Sequence, residues 1–221
     1  MFNSKSSTLG LIKAFRQTPN YSLFMTPLRC LFIQTKDTPN PDCMKFYPGK
    51  NVMESPGDTL DFSHRKFTKI SPLAIKLFSI SGVRRVFYAH EYLSVTKEEN
   101  EEWEHLTPEI YEAITDHYTR GLPIFTVGVP EDETVILDTD SEAVQMIKEI
   151  LITRIRPFVQ NDGGDVAFKD FDPETGKLTV LMKGSCAGCP SSQATLKGGI
   201  EKMMKFYVEE VTEVEGVDYL G

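Results

Sequence analysis

The sequence predicts an α+β protein made of two small domains. Three observations predict it. Strand-like and helix-like segments alternate in two blocks, over residues 32–121 and 139–221. Between them, residues 122–138 hold Pro123, Gly128, Pro130 and the acid cluster Glu131-Asp132-Glu133, the composition of a linker. The second block contains Lys-Gly-Ser-Cys-Ala-Gly-Cys-Pro-Ser-Ser at residues 183–192, at a junction of strand and helix. A chain of 221 residues suits one large domain or two small ones.

The first thirty or so residues form a separate segment. Residues 1–36 carry Lys5, Lys13, Arg16, Arg29 and Lys36 and no acid, with apolar groups recurring at Leu9, Ile12, Phe15, Leu23 and Phe24. That is the pattern of a mitochondrial transit peptide, expected over residues 1–31. It lacks the compact apolar core of a secretory signal. Cys30 falls at or before the expected cleavage point and is assigned no chemistry.

The rest of the chain then holds nineteen bases against all 32 acids, a net charge of -13. A body this acidic is a poor binder of nucleic acid, whose affinity comes from neutralised phosphates. No apolar run reaches the roughly 18 residues a membrane span needs.

Residues 32–35 read as a strand, and Thr38-Pro39-Asn40-Pro41-Asp42 as a turn. Residues 43–47 read as a second strand. Ser71 and Pro72 open a short helix as N-cap and first helical residue, and Gly82 stops it. Residues 83–89 and 92–97 read as two strands joined at His90-Glu91, on their β-branched and aromatic content. Thr107-Pro108 is expected to open a helix with Ile110, Ile114, His117 and Tyr118 on one buried face. Its neighbours Glu98 to Glu102 read as a solvated acidic start. His117 is expected to be a core or boundary histidine. His64, His90 and His105 are expected at the surface, and Cys43 as a small packed residue.

In the second block, Thr139 and Glu142 have capping-box spacing. Val144, Ile147, Leu151, Ile155 and Phe158 form a helical stripe, which Pro157 should kink or end. Asn161-Asp162-Gly163-Gly164 is a stop and turn, and a turn role is expected for Asp162 and Asp165. Residues 165–171 and 177–183 read as strands, residues 191–207 as a helix burying Ala194, Ile200, Met203 and Tyr207, and residues 212–217 as a third strand.

Chemistry concentrates in Cys186 and Cys189. They stand three positions apart, with Ala187 and Gly188 between them and Pro190 after. Amide groups and the dipole of a following helix favour thiolate over thiol, so the pair is expected to be ionised. From the residues alone it is open to four readings: a structural zinc half-site, a dithiol redox couple, an iron–sulfur site, or buried thiols. Zinc sites take four ligands, and this block offers two thiols and no histidine. Iron–sulfur clusters usually take four cysteines, so two chains would share one centre. A thioredoxin-like couple also places C-x-x-C at a helix start, but that fold needs more strands. No phosphate-cradling loop, nucleophile elbow or paired catalytic carboxylates stand out.

These residues resemble a known family. Asp162-Gly163-Gly164-Asp165-Val166, Gly184-Ser185-Cys186 and Cys189-Pro190-Ser191-Ser192 are similar to the signature of the NifU C-terminal domain. Phe32-Ile33-Gln34-Thr35, Thr38-Pro39-Asn40-Pro41, Lys45-Phe46 and Ser71-Pro72-Leu73-Ala74 are similar to the Nfu N-terminal domain. The resemblance, to the mitochondrial Nfu-type iron–sulfur scaffolds, covers nearly all of the chain after residue 31. It implies a Nfu-type α+β domain, then a NifU-like α/β domain with a three-stranded sheet and flanking helices. It implies a carrier rather than an enzyme, holding a 4Fe–4S cluster between subunits by Cys186 and Cys189 of each. It further implies a homo-oligomer on cluster binding, upstream cluster-assembly factors, and apo-protein recipients such as lipoyl synthase, aconitase-type and respiratory-complex proteins in the mitochondrial matrix. The rival readings are a thiol–disulfide oxidoreductase and a zinc-stapled dimer using the same pair.

Overall fold

The structure is a computed structural model. It describes residues 32–130, 132–188 and 190–220, with the backbone alone for 190–196. The expected transit peptide, with Cys30, lies outside the described residues, as does Cys189.

The first domain is a five-stranded antiparallel sheet with helices on one face. Its strands are β1 (Gln34–Asp37), β2 (Cys43–Tyr47), β3 (Leu60–Phe62), β4 (Val83–Tyr88) and β5 (Leu93–Lys97), in the order β1-β2-β5-β4-β3. Side chains alternate across a strand. Phe46, Phe62, Val86, Tyr88, Leu93 and Val95 therefore share one face, where they pack on α1 (Pro72–Leu77) and α2 (Trp103–Thr119). From the helices come Leu73, Ala74 and Leu77, then Leu106, Ile110, Ala113 and Ile114. Ser71 caps α1, its hydroxyl accepting from the amide of Ala74 at 3.2 Å. The sequence reading missed β3 and the tight 3-10 turn Arg65–Ile70 behind it. Three residues carry too little alternation to register. It also started α2 late. The helix begins at Trp103 and takes Pro108 inside, because Leu106 and Trp103 already have core to pack against. Residues 124–127 form no strand, although Ile124 and Phe125 pack on the core.

The opposite face of this sheet carries Cys43, Lys45, Asp61, Arg85, Phe87, Ser94 and Thr96. By alternation it reads as a wet face, yet all seven are buried. The second domain lies on it.

That domain begins with α3 (Glu142–Ile150), whose N-cap is Ser141 rather than Thr139. A π turn (Leu151–Ile155) leads into α4 (Arg156–Asn161). The rod is not broken at Pro157, because the wider turn accommodates the missing amide. A π turn adds a residue and advances the buried face. Val159 therefore enters the core beside Ile147, Leu151 and Ile155, while Phe158 stands 70% exposed. A sheet follows: β6 (Gly164–Asp172) antiparallel to β7 (Lys177–Gly184), and β8 (Glu213–Asp218) parallel to β7. A parallel neighbour needs a crossover, and α5 (Pro190–Tyr207) supplies it. Leu178, Val180 and Met182 of β7 alternate into the core as the pattern predicts. On α5, Ile200 and Met204 are buried; Met203 is half-buried and Tyr207 exposed, contrary to expectation. Ala194 is among the residues whose side chains are not described.

Candidate metal centre

The turn that carries Cys186 is built from two glycine-rich corners laid against each other. One is Asp162-Gly163-Gly164, where α4 meets β6; the other is Gly184-Ser185-Cys186, where β7 ends. The Gly163 carbonyl accepts from the Ser185 amide at 3.2 Å, and the Asp162 carbonyl accepts from the Ser185 hydroxyl at 2.7 Å. Gly163 has φ +88, a conformation that side chains with a Cβ resist. A methyl group on Gly164 would lie 2.5 Å from Cys186 Sγ, so the glycine makes room for the sulfur. The turn closes on itself through Cys186 N to Lys183 O and Ala187 N to Gly184 O.

Beneath it Asp165 is fully buried. Arg156 grips it in a two-pronged pair, Nε to Oδ1 at 3.0 Å and Nη2 to Oδ2 at 2.5 Å. Arg156 also pairs with Asp132 of the linker. Burial opposes the Arg156 charge, but hydrogen bonding and attraction from Asp165, reinforced by Asp132, hold its proton more tightly than usual. Asp165 is therefore a buried structural ion, a role beyond the expected turn.

The first domain closes the site from the other side. Asn40 donates its side-chain amide to the Ser185 carbonyl at 3.1 Å, and Ser94 donates its hydroxyl to the Gly163 carbonyl at 2.8 Å. Lys45 donates to the Asn161 carbonyl, Tyr92 to the Gln160 carbonyl, and Thr59 to Asp165. Arg84 reaches Gly188 at the tip. Sequence reasoning placed Asn40 in a turn, quoted Asn40 and Lys45 within the stretches that carry the family resemblance, and gave none of these residues a contact with the second domain. Their one signal is a row of polar residues at alternate strand positions, which a solvated face produces as well.

Cys186, packed at the edge of the second domain's core under these contacts, is 4% exposed, and its thiol is pushed up to about 12 by burial, with the carboxylates of Asp165 and Asp162 and the neighbouring thiol of Cys43 adding to the effect. The expectation of an ionised thiol is corrected for Cys186. Desolvation outweighs what the helix start can offer, since Cys186 sits four residues ahead of Pro190 with its own amide already bonded. Cys43 is 2% exposed, and burial raises its thiol too. It is packed, as expected, but under the second domain rather than in its own core. Of the histidines, His117 is buried, His64 and His105 are exposed, and His90 is half-buried with Nδ1 2.9 Å from the Met53 carbonyl. Among the described residues no three of His, Cys, Asp and Glu are grouped to hold a metal, and no helix is long and apolar enough to cross a membrane.

Comparison with known proteins decides the family. Residues 33–121 match the family described as scaffold protein Nfu/NifU N terminal, and residues 147–215 match the NifU-like domain. "NifU-like protein 4, mitochondrial" of Arabidopsis thaliana is 44% identical over 214 residues, covering 96% of this chain and 75% of that protein. The chain belongs to the Nfu family of NifU-like proteins. Another Nfu relative, "NFU1 iron-sulfur cluster scaffold homolog, mitochondrial" of Drosophila persimilis, is 48% identical over 189 residues, 86% of this chain and 66% of the relative. A solution structure of a NifU-like protein from Saccharomyces cerevisiae aligns with 52% of this chain and 98% of its own, at 20% identity and a TM-score of 0.40. The stretch that matches the NifU-like domain includes the strand-to-helix turn of Cys186.

Proposed function

We propose that this Nfu chain is a mitochondrial iron–sulfur cluster scaffold, which carries a 4Fe–4S cluster as cargo and yields it to apo-proteins. In this reading residues 1–31 are the transit peptide and 122–138 the linker between the Nfu domain (32–121) and the cluster-binding domain (139–221). The carrying observation is that both halves of the chain match scaffold-family domains, with Cys186 held on a turn whose glycines leave room for sulfur. Thiolate donors suit iron–sulfur clusters, and four are the usual number. Each chain offers Cys186 and Cys189, so two chains share one cluster and association is coupled to loading. Ligation then adds binding free energy to the dimer alone. Recipients in the matrix are apo iron–sulfur proteins of the lipoyl synthase, aconitase and respiratory classes, and upstream assembly factors load the cluster.

A redox reading has less support, because a thioredoxin-like fold needs more strands than the three of this domain's sheet. The test is anaerobic reconstitution followed by visible spectroscopy and native mass spectrometry. A sulfur-to-iron band with one 4Fe–4S cluster per two chains is expected. Cys186→Ser and Cys189→Ser should each lose cluster and association, and mixing the two should not rescue them. An intact cluster on a monomer sinks the shared-ligand reading. Retained zinc, or rapid disulfide reduction without a cluster, sinks the scaffold reading itself.

A further inference from the structure

The Cys186 end of the loop that should bind the cluster is buried within the chain. A cluster shared between two chains requires sulfur atoms at the surface, and Cys186 is 4% exposed. Its side chain packs at the edge of the second domain's own core cluster, and the backbone corners that frame it are covered by the outer face of the first domain's sheet. Asn40, Lys45, Ser94 and Tyr92 bond to the carbonyls of Ser185, Asn161, Gly163 and Gln160, and Phe87 lies against Gly184. Every one of those carbonyls belongs to the two corners that frame Cys186 or to the end of α4 beside them.

The covering face is made to part. Its hydrogen bonds go mainly to backbone carbonyls, which water replaces at a modest net cost for each, and its apolar part is the small cluster of Phe87, Ala89 and Tyr92. Most of the apolar core of each domain lies elsewhere, α1 and α2 on one sheet, α3 to α5 on the other, with Cys186 at the edge of the second. Separating the domains therefore leaves the bulk of both cores in place.

A bending point is also present. Thr126 is tied to the first domain, its amide donating to the Ile70 carbonyl at 2.8 Å. Asp132, Glu133 and Thr134 are tied to the second, through Arg156, Lys183 and the Phe168 amide. Residues 127–130 hold no hydrogen bond to either domain among the described residues, and Gly128 has open space around it.

We propose that the first domain is a lid on the Cys186 side of the metal-binding loop, and that loading requires it to lift by bending at residues 127–130. This autoinhibitory contact rests on the scaffold reading above. It keeps the apo thiol from stray metals and oxidants, and it couples recognition by the first domain to access at the second. The lid also carries its own reporter. Cys43 is 2% exposed under the same interface, so opening uncovers it together with Cys186.

The experiment is iodoacetamide labelling of the full chain, with rates at Cys43 and Cys186 read by peptide mass spectrometry. In the apo chain both should react at least about tenfold slower than in concentrated urea. Lys45→Glu combined with Tyr92→Phe removes two interdomain bonds and should speed both sites by the same factor, about tenfold. If that variant fails to fold, Ser94→Ala should move both rates the same way by a smaller factor. Anaerobic loading with iron and sulfide should then separate the two thiols: Cys186 becomes protected by the cluster while Cys43 reacts faster than in the apo chain. Reaction of Cys186 at its unfolded rate in the apo chain overturns the lid. So does a loosened variant whose two rates diverge, or a loaded chain in which Cys43 stays protected. A chain that takes no cluster refutes the scaffold reading instead, and the apo rates still decide the lid.

Discussion

Gly164 packs so tightly on Cys186 that a methyl group on its Cα would sit 2.5 Å from the sulfur and 2.6 Å from the Lys183 carbonyl. The backbone atom cannot swing aside as a flexible side chain would. Gly164→Ala should therefore cost about 1–3 kcal/mol of stability, as overpacked sites do, read as a lower urea midpoint. Gly198→Ala is the control. Gly198 is in α5 with nothing within 4 Å of the added carbon, so the same change should raise stability by about 0.5–1 kcal/mol. Equal effects at the two positions would show that the corner is not packed as described.

The pair Arg156 and Asp165 is buried on both sides. Removing one partner strands a charge, which costs about 3–5 kcal/mol. Arg156→Met should therefore be severe, and Arg156→Met with Asp165→Asn should recover part of the loss. Chemical denaturation of the two single variants and the double variant gives the coupling. A double variant worse than the sum of the singles would contradict it.

The order of elements was legible because each is short and carries its own pattern. β7 alternates Leu178, Val180 and Met182, and Ser71-Pro72 announces α1. The docking was not legible. Asn40, Lys45 and Ser94 act through single bonds to carbonyls of a distant segment, and a polar residue on a strand looks the same whether it faces water or another domain. Cys186 was read as ionised, yet it is buried, since local sequence reports the helix that follows but not the core and the sheet packed around it. Asp165 stands beside two glycines, which reads as turn chemistry and hides the partner nine residues earlier at Arg156.

The π turn supplies another test. A regular helix places Phe158 in the stripe with Ile155; the observed phase buries Val159 and exposes Phe158. Val159→Ala should cost about 1–2 kcal/mol through lost burial and a small cavity, whereas Phe158→Ala should stay within roughly 0.5 kcal/mol. The reverse ranking of urea midpoints would restore the regular helix.

His117 gives the first domain a pH dependence. It is buried, its Nε2 has no partner among the described residues, and burial, helped by Lys76 and resisted by Asp116, lowers its pKa. The unfolded chain titrates near about 6.5. A lowered folded value means the stabilising term is present above that pH and is lost as pH falls through the folded value. Stability should fall from about pH 7 to pH 5, and His117→Leu should flatten that slope. A slope unchanged by the substitution would assign the loss to other groups.

The last prediction concerns where the second domain begins. Sequence spacing starts it at Thr139, but three residues before that point are fastened to it. Asp132 pairs with Arg156, Glu133 pairs with Lys183 at 2.6 Å, and the fully buried Thr134 accepts the Phe168 amide at 3.0 Å. The Val135 carbonyl further accepts from Lys148 at 2.9 Å. A fragment starting at Thr139 strips Asp132 from Arg156, leaves the β6 amide of Phe168 without its acceptor and opens the surface that Thr134 covers. With each lost bond worth about 0.5–1.5 kcal/mol, the fragment 132–221 should exceed the fragment 139–221 by roughly 2–4 kcal/mol. Urea unfolding of the two, followed by far-ultraviolet circular dichroism, measures the difference. Thr134→Val in the longer fragment should remove part of that gain and leave the ion pairs in place. Equal midpoints for the two fragments would mean that residues 132–138 only connect the domains and do not belong to the second.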